Sequence, residues 1–144
     1  MKQLEERFSQ ALHNTTRGWR QALERRLKAS GLSHAGWLAV TTVAMADAPL
    51  SQSELAQRLG VEAATVVAMV DRLVASGLVT REASTTDRRV KLVVATAAGL
   101  ELYGSVKVEA DAVRLQLLAT IDKDRLKIAT EILEQLQAIV DRAP

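Results

Sequence analysis

The chain of 144 residues carries 19 basic and 17 acidic side chains, a net charge of +2, and is 48% hydrophobic but only 3% aromatic. That length builds one domain with a sizeable core, which aliphatic packing must mostly supply. The absence of cysteine excludes disulfides, thiol nucleophiles, cysteine-based zinc sites and thiol redox sensing.

The opening MKQLEERFSQ is charged and amphipathic. It resembles neither a secretory signal nor a transmembrane run, so a cytoplasmic protein with no membrane partner is expected. From Leu4, the positions Phe8, Leu12, Trp19, Leu23 and Leu27 trace one face of a long helix reaching Ser30 and Gly31. Arg25, Arg26 and Lys28 read as a solvated face or as an ion-pair patch between subunits. Ser33 caps a second helix to about Met45, and the turn Asp47-Ala48-Pro49 ends it. Leu50 adds a short strand.

Residues 51–95 are the most informative stretch. Ser51 and Glu54 form a capping box, and Leu55, Ala56 and Leu59 give the following helix its apolar face. Gly60 stops that helix, since its backbone turns left-handed most easily. Val61 plugs the turn. A second helix follows over 62–75, with Val66, Met69, Val70 and Leu73 facing inward, and Gly77 ends it. Two β-prone runs come next, at 78–81 and 90–94. The polar stretch between them, 82–89, is long enough to be a wing. This is a winged helix-turn-helix layout, which sets one helix in a major groove and a loop beside it. Asp87, Arg88 and Arg89 lie near the wing's return side. An arginine there can enter a minor groove, and Asp87 can aim one guanidinium through a bidentate pair. A solvated loop with a local ion pair is the bland reading of the same residues. Charge adds little to the argument, because 51–95 holds six basic residues against five acidic ones, a net +1.

Thr96 opens a helix to about Thr120, and Asp122 caps a last one. Leu126, Ile132, Leu133, Leu136, Ile139 and Val140 form a single stripe on it. The terminal helices carry more apolar surface than a small winged core can cover, so a homodimer is expected. A monomeric hairpin of the two C-terminal helices is the other arrangement. A two-fold protein matches a pseudo-palindromic operator in double-stranded DNA. The expected fold is therefore mainly α with a small β-wing. It is a single domain over 1–144, with dimerisation helices at 1–31 and 97–144 and a winged helix-turn-helix lobe at 32–96. No enzyme, cofactor or metal site is expected. His13 and His34 lie far apart, no nucleophile elbow, P-loop, H-E-x-x-H or dinucleotide turn occurs, and the carboxylates spread along helix surfaces.

Several motifs in order give the chain a family likeness. They are RGWRQALERRL at 17–27, LSHAGW at 32–37, SELAQRLGVE at 53–62, VDRLVASGLV at 70–79, DRR at 87–89 and ATAAGL at 95–100. Over residues 8–140 the chain resembles MarR-family transcriptional regulators, closest to their SlyA-like branch. The last motif carries Ala95 where the family pattern has leucine. The resemblance implies an obligate homodimer that represses or activates nearby genes and is often relieved by small aromatic or phenolic anions. It implies Arg89 as the minor-groove arginine, Asp87 as its orienting partner and Arg88 as a flanking contact. Ser51, Gln52 and Ser53 would touch phosphates. Ala63, Ala64, Thr65, Val67, Ala68 and Arg72 would form the outward face of the recognition helix. Effectors of this family bind between the dimer helices and the lobe, which points to Arg17, Trp19, Arg20, His34 and Trp37. For Trp19 and Trp37 a core role is the competing reading, and for His34 an exposed or capping one.

The chain departs from the SlyA-like pattern at Ala68, where an arginine is typical. Its recognition face offers methyl groups and one hydroxyl, which can touch thymine methyls but form no bidentate pair with guanine or adenine. Base discrimination is then expected to lean on Arg89, Arg72 and DNA shape. The alternatives are a winged-helix protein-interaction adaptor or a degenerate regulator of weak specificity.

Overall fold

A computed structural model describes residues 1–144. Its contacts divide them into two units, 1–111 and 112–144. The chain is mostly helical with one small antiparallel sheet, as the patterning predicts.

The first unit opens with α1 (Lys2–Leu27), which a 3-10 turn (Lys28–Ser30) closes. Helix α2 (His34–Met45) follows, its N-cap Ser33 accepting the Gly36 N–H at 3.1 Å. Strand β1 (Leu50–Ser51) leads into α3 (Gln52–Leu59). The expected capping box is formed, with Ser51 Oγ accepting the Glu54 N–H at 3.1 Å and the Glu54 carboxylate accepting the Ser51 N–H at 3.3 Å. Gly60 closes α3 at φ 68°, where a side chain would be strained. Helix α4 (Ala63–Ala75) comes next, then β2 (Val79–Ala83) and β3 (Lys91–Ala95). The sheet order is β1-β3-β2, all antiparallel, with Leu50 opposite Val93 and Arg81 opposite Val93 from the other side.

One core serves the elements from α2 to β3. Val66 and Val70 of α4, Leu55 of α3, Val40 of α2, Val79 of β2 and Val93 of β3 are essentially inaccessible to solvent. The four inward positions expected of α4, Val66, Met69, Val70 and Leu73, are all buried. The aliphatic core follows from the composition, since no aromatic side chain belongs to this cluster.

Two expectations are corrected. The strands were expected over 78–81 and 90–94, but β2 runs on to Ala83 because Glu82 pairs with Leu92 and Ala83 with Lys91. Ladder bonds are made by the backbone, so polar side chains do not end a two-stranded ribbon. The wing loop shortens to 84–90, closed by a 3.0 Å bond from the Ser84 N–H to the Val90 carbonyl. Arg26 is not simply solvated, and it needs no second subunit for a partner. It donates to Glu109 at 3.1 Å within the chain.

Helix α5 (Ala97–Leu118) starts in the first unit and ends in the second. Its N-cap Thr96 is doubly engaged. The hydroxyl accepts the Gly99 N–H at 3.1 Å and donates to the Gly77 carbonyl at 2.6 Å, while the Thr96 N–H donates to the Leu78 carbonyl at 3.1 Å. Gly99 packs against that same Leu78 carbonyl, and any β-carbon there would overlap the oxygen. In the second unit, Asp122 caps α6 (Lys123–Arg142) by accepting the Arg125 N–H at 3.0 Å. No residue of α6 is buried. Gly99→Ala is expected to destabilise the fold by about 1–3 kcal/mol through overpacking, read as a lower midpoint in urea unfolding.

Candidate nucleic-acid interface

The face of α4 opposite the core is open. Ala63, Ala64, Thr65, Val67, Ala68 and Arg72 are all exposed. Burial of the other seam fixes which residues these are, because one helix cannot turn both faces inward. Beside them, Ser51 and Gln52 are half-buried and Ser53 is exposed at the start of α3. The Gln52 side-chain carbonyl is already engaged, accepting from Arg81 Nε at 2.8 Å. Its amide N–H groups remain available as donors.

The wing tip is preset. Ser84 Oγ accepts the Thr86 and Asp87 N–H groups at 3.3 and 3.4 Å and so folds the loop. Asp87 then grips Arg89 three times. Its Oδ1 accepts the Arg89 backbone N–H at 3.1 Å and Nε at 3.2 Å, and Oδ2 accepts Nη2 at 3.3 Å. This is the bidentate pair the sequence suggests. The Arg89 side chain is nonetheless 91% exposed. The arginine is aimed yet free to meet a ligand. Its guanidinium first, and its backbone N–H second, hold the Asp87 carboxyl below the usual carboxylate range. A lowered carboxylate pKa means the pair is intact above the ordinary value near 4 and is lost only as pH falls through the lowered one.

A residue the sequence reading passed over organises this surface. Arg81 of β2 donates to Gln52 of α3, to the Val67 carbonyl of α4 at 3.1 Å and to Asp71 Oδ1 of α4 at 2.7 Å. In the sequence Arg81 and Asp71 are two charges among eleven in 51–95, and nothing local links positions ten residues apart across a turn.

Of the candidate effector residues, the fold gathers three. His34 meets Trp37 edge-to-face at a ring separation of 4.6 Å, and Arg20 of α1 lies close enough to act on the imidazole electrostatically. Trp37 is buried, as its core reading has it. His34 is neither exposed nor capping. It is half-buried on the first turn of α2, with Nδ1 buried and unpartnered, while Ser33 does the capping. Arg17 is exposed and donates to Asn14 on its own helix, and Trp19 is half-buried. A separate groove of about 490 Å³ is lined by Gly31, Leu32, Gly36, Met69, Arg72 and Ser76, among others. None of the five candidates lines it.

The MarR family model matches residues 30–90. A solved transcriptional regulator designated PA3341 is 35% identical over 94% of this chain and 99% of its own, with a TM-score of 0.85. The chain belongs to the MarR family. Two more distant members share its fold. The Staphylococcus aureus MarR solved with salicylate and kanamycin is 22% identical, covers 98% and 95% of the two chains and has a TM-score of 0.88. The S. aureus MepR–DNA complex is 16% identical, covers 91% and 96%, and has a TM-score of 0.82. MarR-family proteins are regulators of transcription, and a DNA-binding regulator is the class this chain falls in.

Within this MarR-family chain the histidine makes a checkable statement. Burial first, then the positive charge of Arg20, lowers the His34 pKa, while Glu24 opposes the shift. The unfolded chain therefore binds a proton before the folded one does. Stability is expected to drop as pH falls through the usual 6.5 towards the lowered value. His34→Gln should flatten that part of a stability–pH curve measured by urea unfolding. For the wing, a carboxyl NMR titration should place Asp87 below an ordinary aspartate, and Arg89→Ala should bring it part of the way back, since the backbone N–H at 89 still donates to the carboxylate.

Proposed function

We propose that the chain is a homodimeric regulator that binds pseudo-palindromic operators, each subunit setting α4 in a major groove and Arg89 in the neighbouring minor groove. The observation that carries this reading is the aimed, solvent-facing Arg89 of the wing, together with the open outward face of α4. Arg88 is a flanking contact, and Ser51, Gln52 and Ser53 meet phosphates at the start of α3. Arg72 meets the duplex from the last turns of α4, and Ala63, Ala64, Thr65, Val67 and Ala68 touch thymine methyls. The relative MepR was solved bound to DNA, which supports the same partner here.

Support for a two-fold assembly comes from the terminal helices. Phe8 of α1 is 42% exposed, Ile128 and Ile139 of α6 are 58% and 57% exposed, and α6 buries nothing. Apolar stripes of this kind mark an interface. In our reading the protein is a cytoplasmic repressor of the SlyA-like branch, relieved by a small aromatic anion. The staphylococcal MarR solved with salicylate lends that ligand class support. Arg20 would pair with the anion's charge beside His34 and Trp37. Such a ligand releases DNA if it favours a lobe spacing other than the roughly 34 Å that successive major grooves demand.

A second reading is a protein-binding adaptor, or a regulator of weak specificity, and the methyl-rich face of α4 favours it. Selection from random duplexes, then affinity against salt, separates the two. A regulator shows a palindrome and a steep salt slope, whereas an apolar protein contact shows neither. Arg89→Ala is expected to weaken operator binding by about 1–3 kcal/mol per half-site and leave the dimer's sedimentation unchanged. Undiminished operator affinity would sink the wing assignment.

A further inference from the structure

Arg81 stands where three parts of the lobe meet. Its strand, β2, continues into the wing that carries Arg89. Along β2 the side chains alternate, so Arg81 points to the same side as buried Val79. The whole side chain is only 26% exposed. Nη2 serves two acceptors a single helical turn apart on α4, the Val67 carbonyl and Asp71 Oδ1. Nε serves Gln52 at the first turn of α3. Three acceptors around one planar fork fix the plane as well as the distance, which a lysine ammonium does not do.

The recognition face gives that rigidity its consequence. Thr65 carries the only hydroxyl among its small side chains, and no bidentate base contact is on offer from Ala63, Ala64 or Ala68. Discrimination must then come from how well a duplex accommodates two elements held at a fixed offset, α4 and the wing tip. We propose that Arg81 is the positioning residue that sets this offset and so carries sequence discrimination without touching DNA. The assignment rests on the reading of α4 and the wing as the DNA-binding surface.

The test compares wild type, Arg81→Met, Arg81→Lys and Asp71→Asn on the selected operator and a scrambled duplex, across a salt series. Arg81→Met should lose about ten-fold in operator affinity, the scale of charge-assisted hydrogen bonds. It should hold scramble affinity within about two-fold and leave the salt slope unchanged, because no phosphate contact is removed. Arg81→Lys should fail to restore the preference. Asp71 is exposed, so Asp71→Asn should fold and show a smaller loss. The double variant should be no worse than Arg81→Met alone. A slope reduced by about one per subunit would show Arg81 on a phosphate and overturn the assignment. So would an equal fall on both duplexes, or an unchanged preference in both Arg81→Met and Asp71→Asn. A wild type with no preference for its selected operator would overturn the proposed function and this assignment together. A wild type that has the preference, beside variants that keep it, overturns this assignment alone.

Discussion

Everything in the lobe depends on burying the inner seam of α4. Val66 and Val70 are fully enclosed, with Met69 and Leu73 nearly so, against side chains from α2, α3 and the sheet. Each such aliphatic side chain contributes about 1.5–3 kcal/mol by leaving water. That seam sets the helix's rotation, and its rotation decides which residues face outward. The outward surface is thus a by-product of packing on the other side of the same helix.

Polar contacts then sharpen what the core positions. The capping box at Ser51 fixes where α3 starts, and Thr96 ties the end of α4 to the start of α5. Arg81 joins α3, α4 and β2 at the core's edge, and Asp87 shapes the wing tip. These contacts use few charges and leave the net balance near neutral. The sign of the whole chain therefore says little about its ligand, whereas the placement of Arg89 says a good deal.

Local signals made much of the fold legible. Capping residues, the Gly60 stop and the spacing of three and four in α4 are all short-range, and each was found where the pattern placed it, while the valine-rich β3 lies one residue later than expected. What escaped was long-range. Arg81 meets a partner 29 residues away and Arg26 one 83 residues away, and no local pattern encodes such a meeting. The extra strand residues at Glu82 and Ala83 escaped because ladder pairing is set by the opposite strand rather than by their own side chains. His34 escaped because the charges that act on its imidazole, Arg20 and Glu24, belong to another helix.

The outward face of α4 has one more implication, for how such a protein diversifies. Ala63, Ala64 and Ala68 are exposed and take no part in the buried cluster. Arginine and glutamine are nearly as good helix formers as alanine. A duplicated copy of this gene can therefore try new side chains at three positions with little loss of stability, since the seam that folds the helix is untouched. If α4 reads DNA as proposed, folding and target choice are written on opposite sides of one helix, so a lineage can revise the second while selection preserves the first.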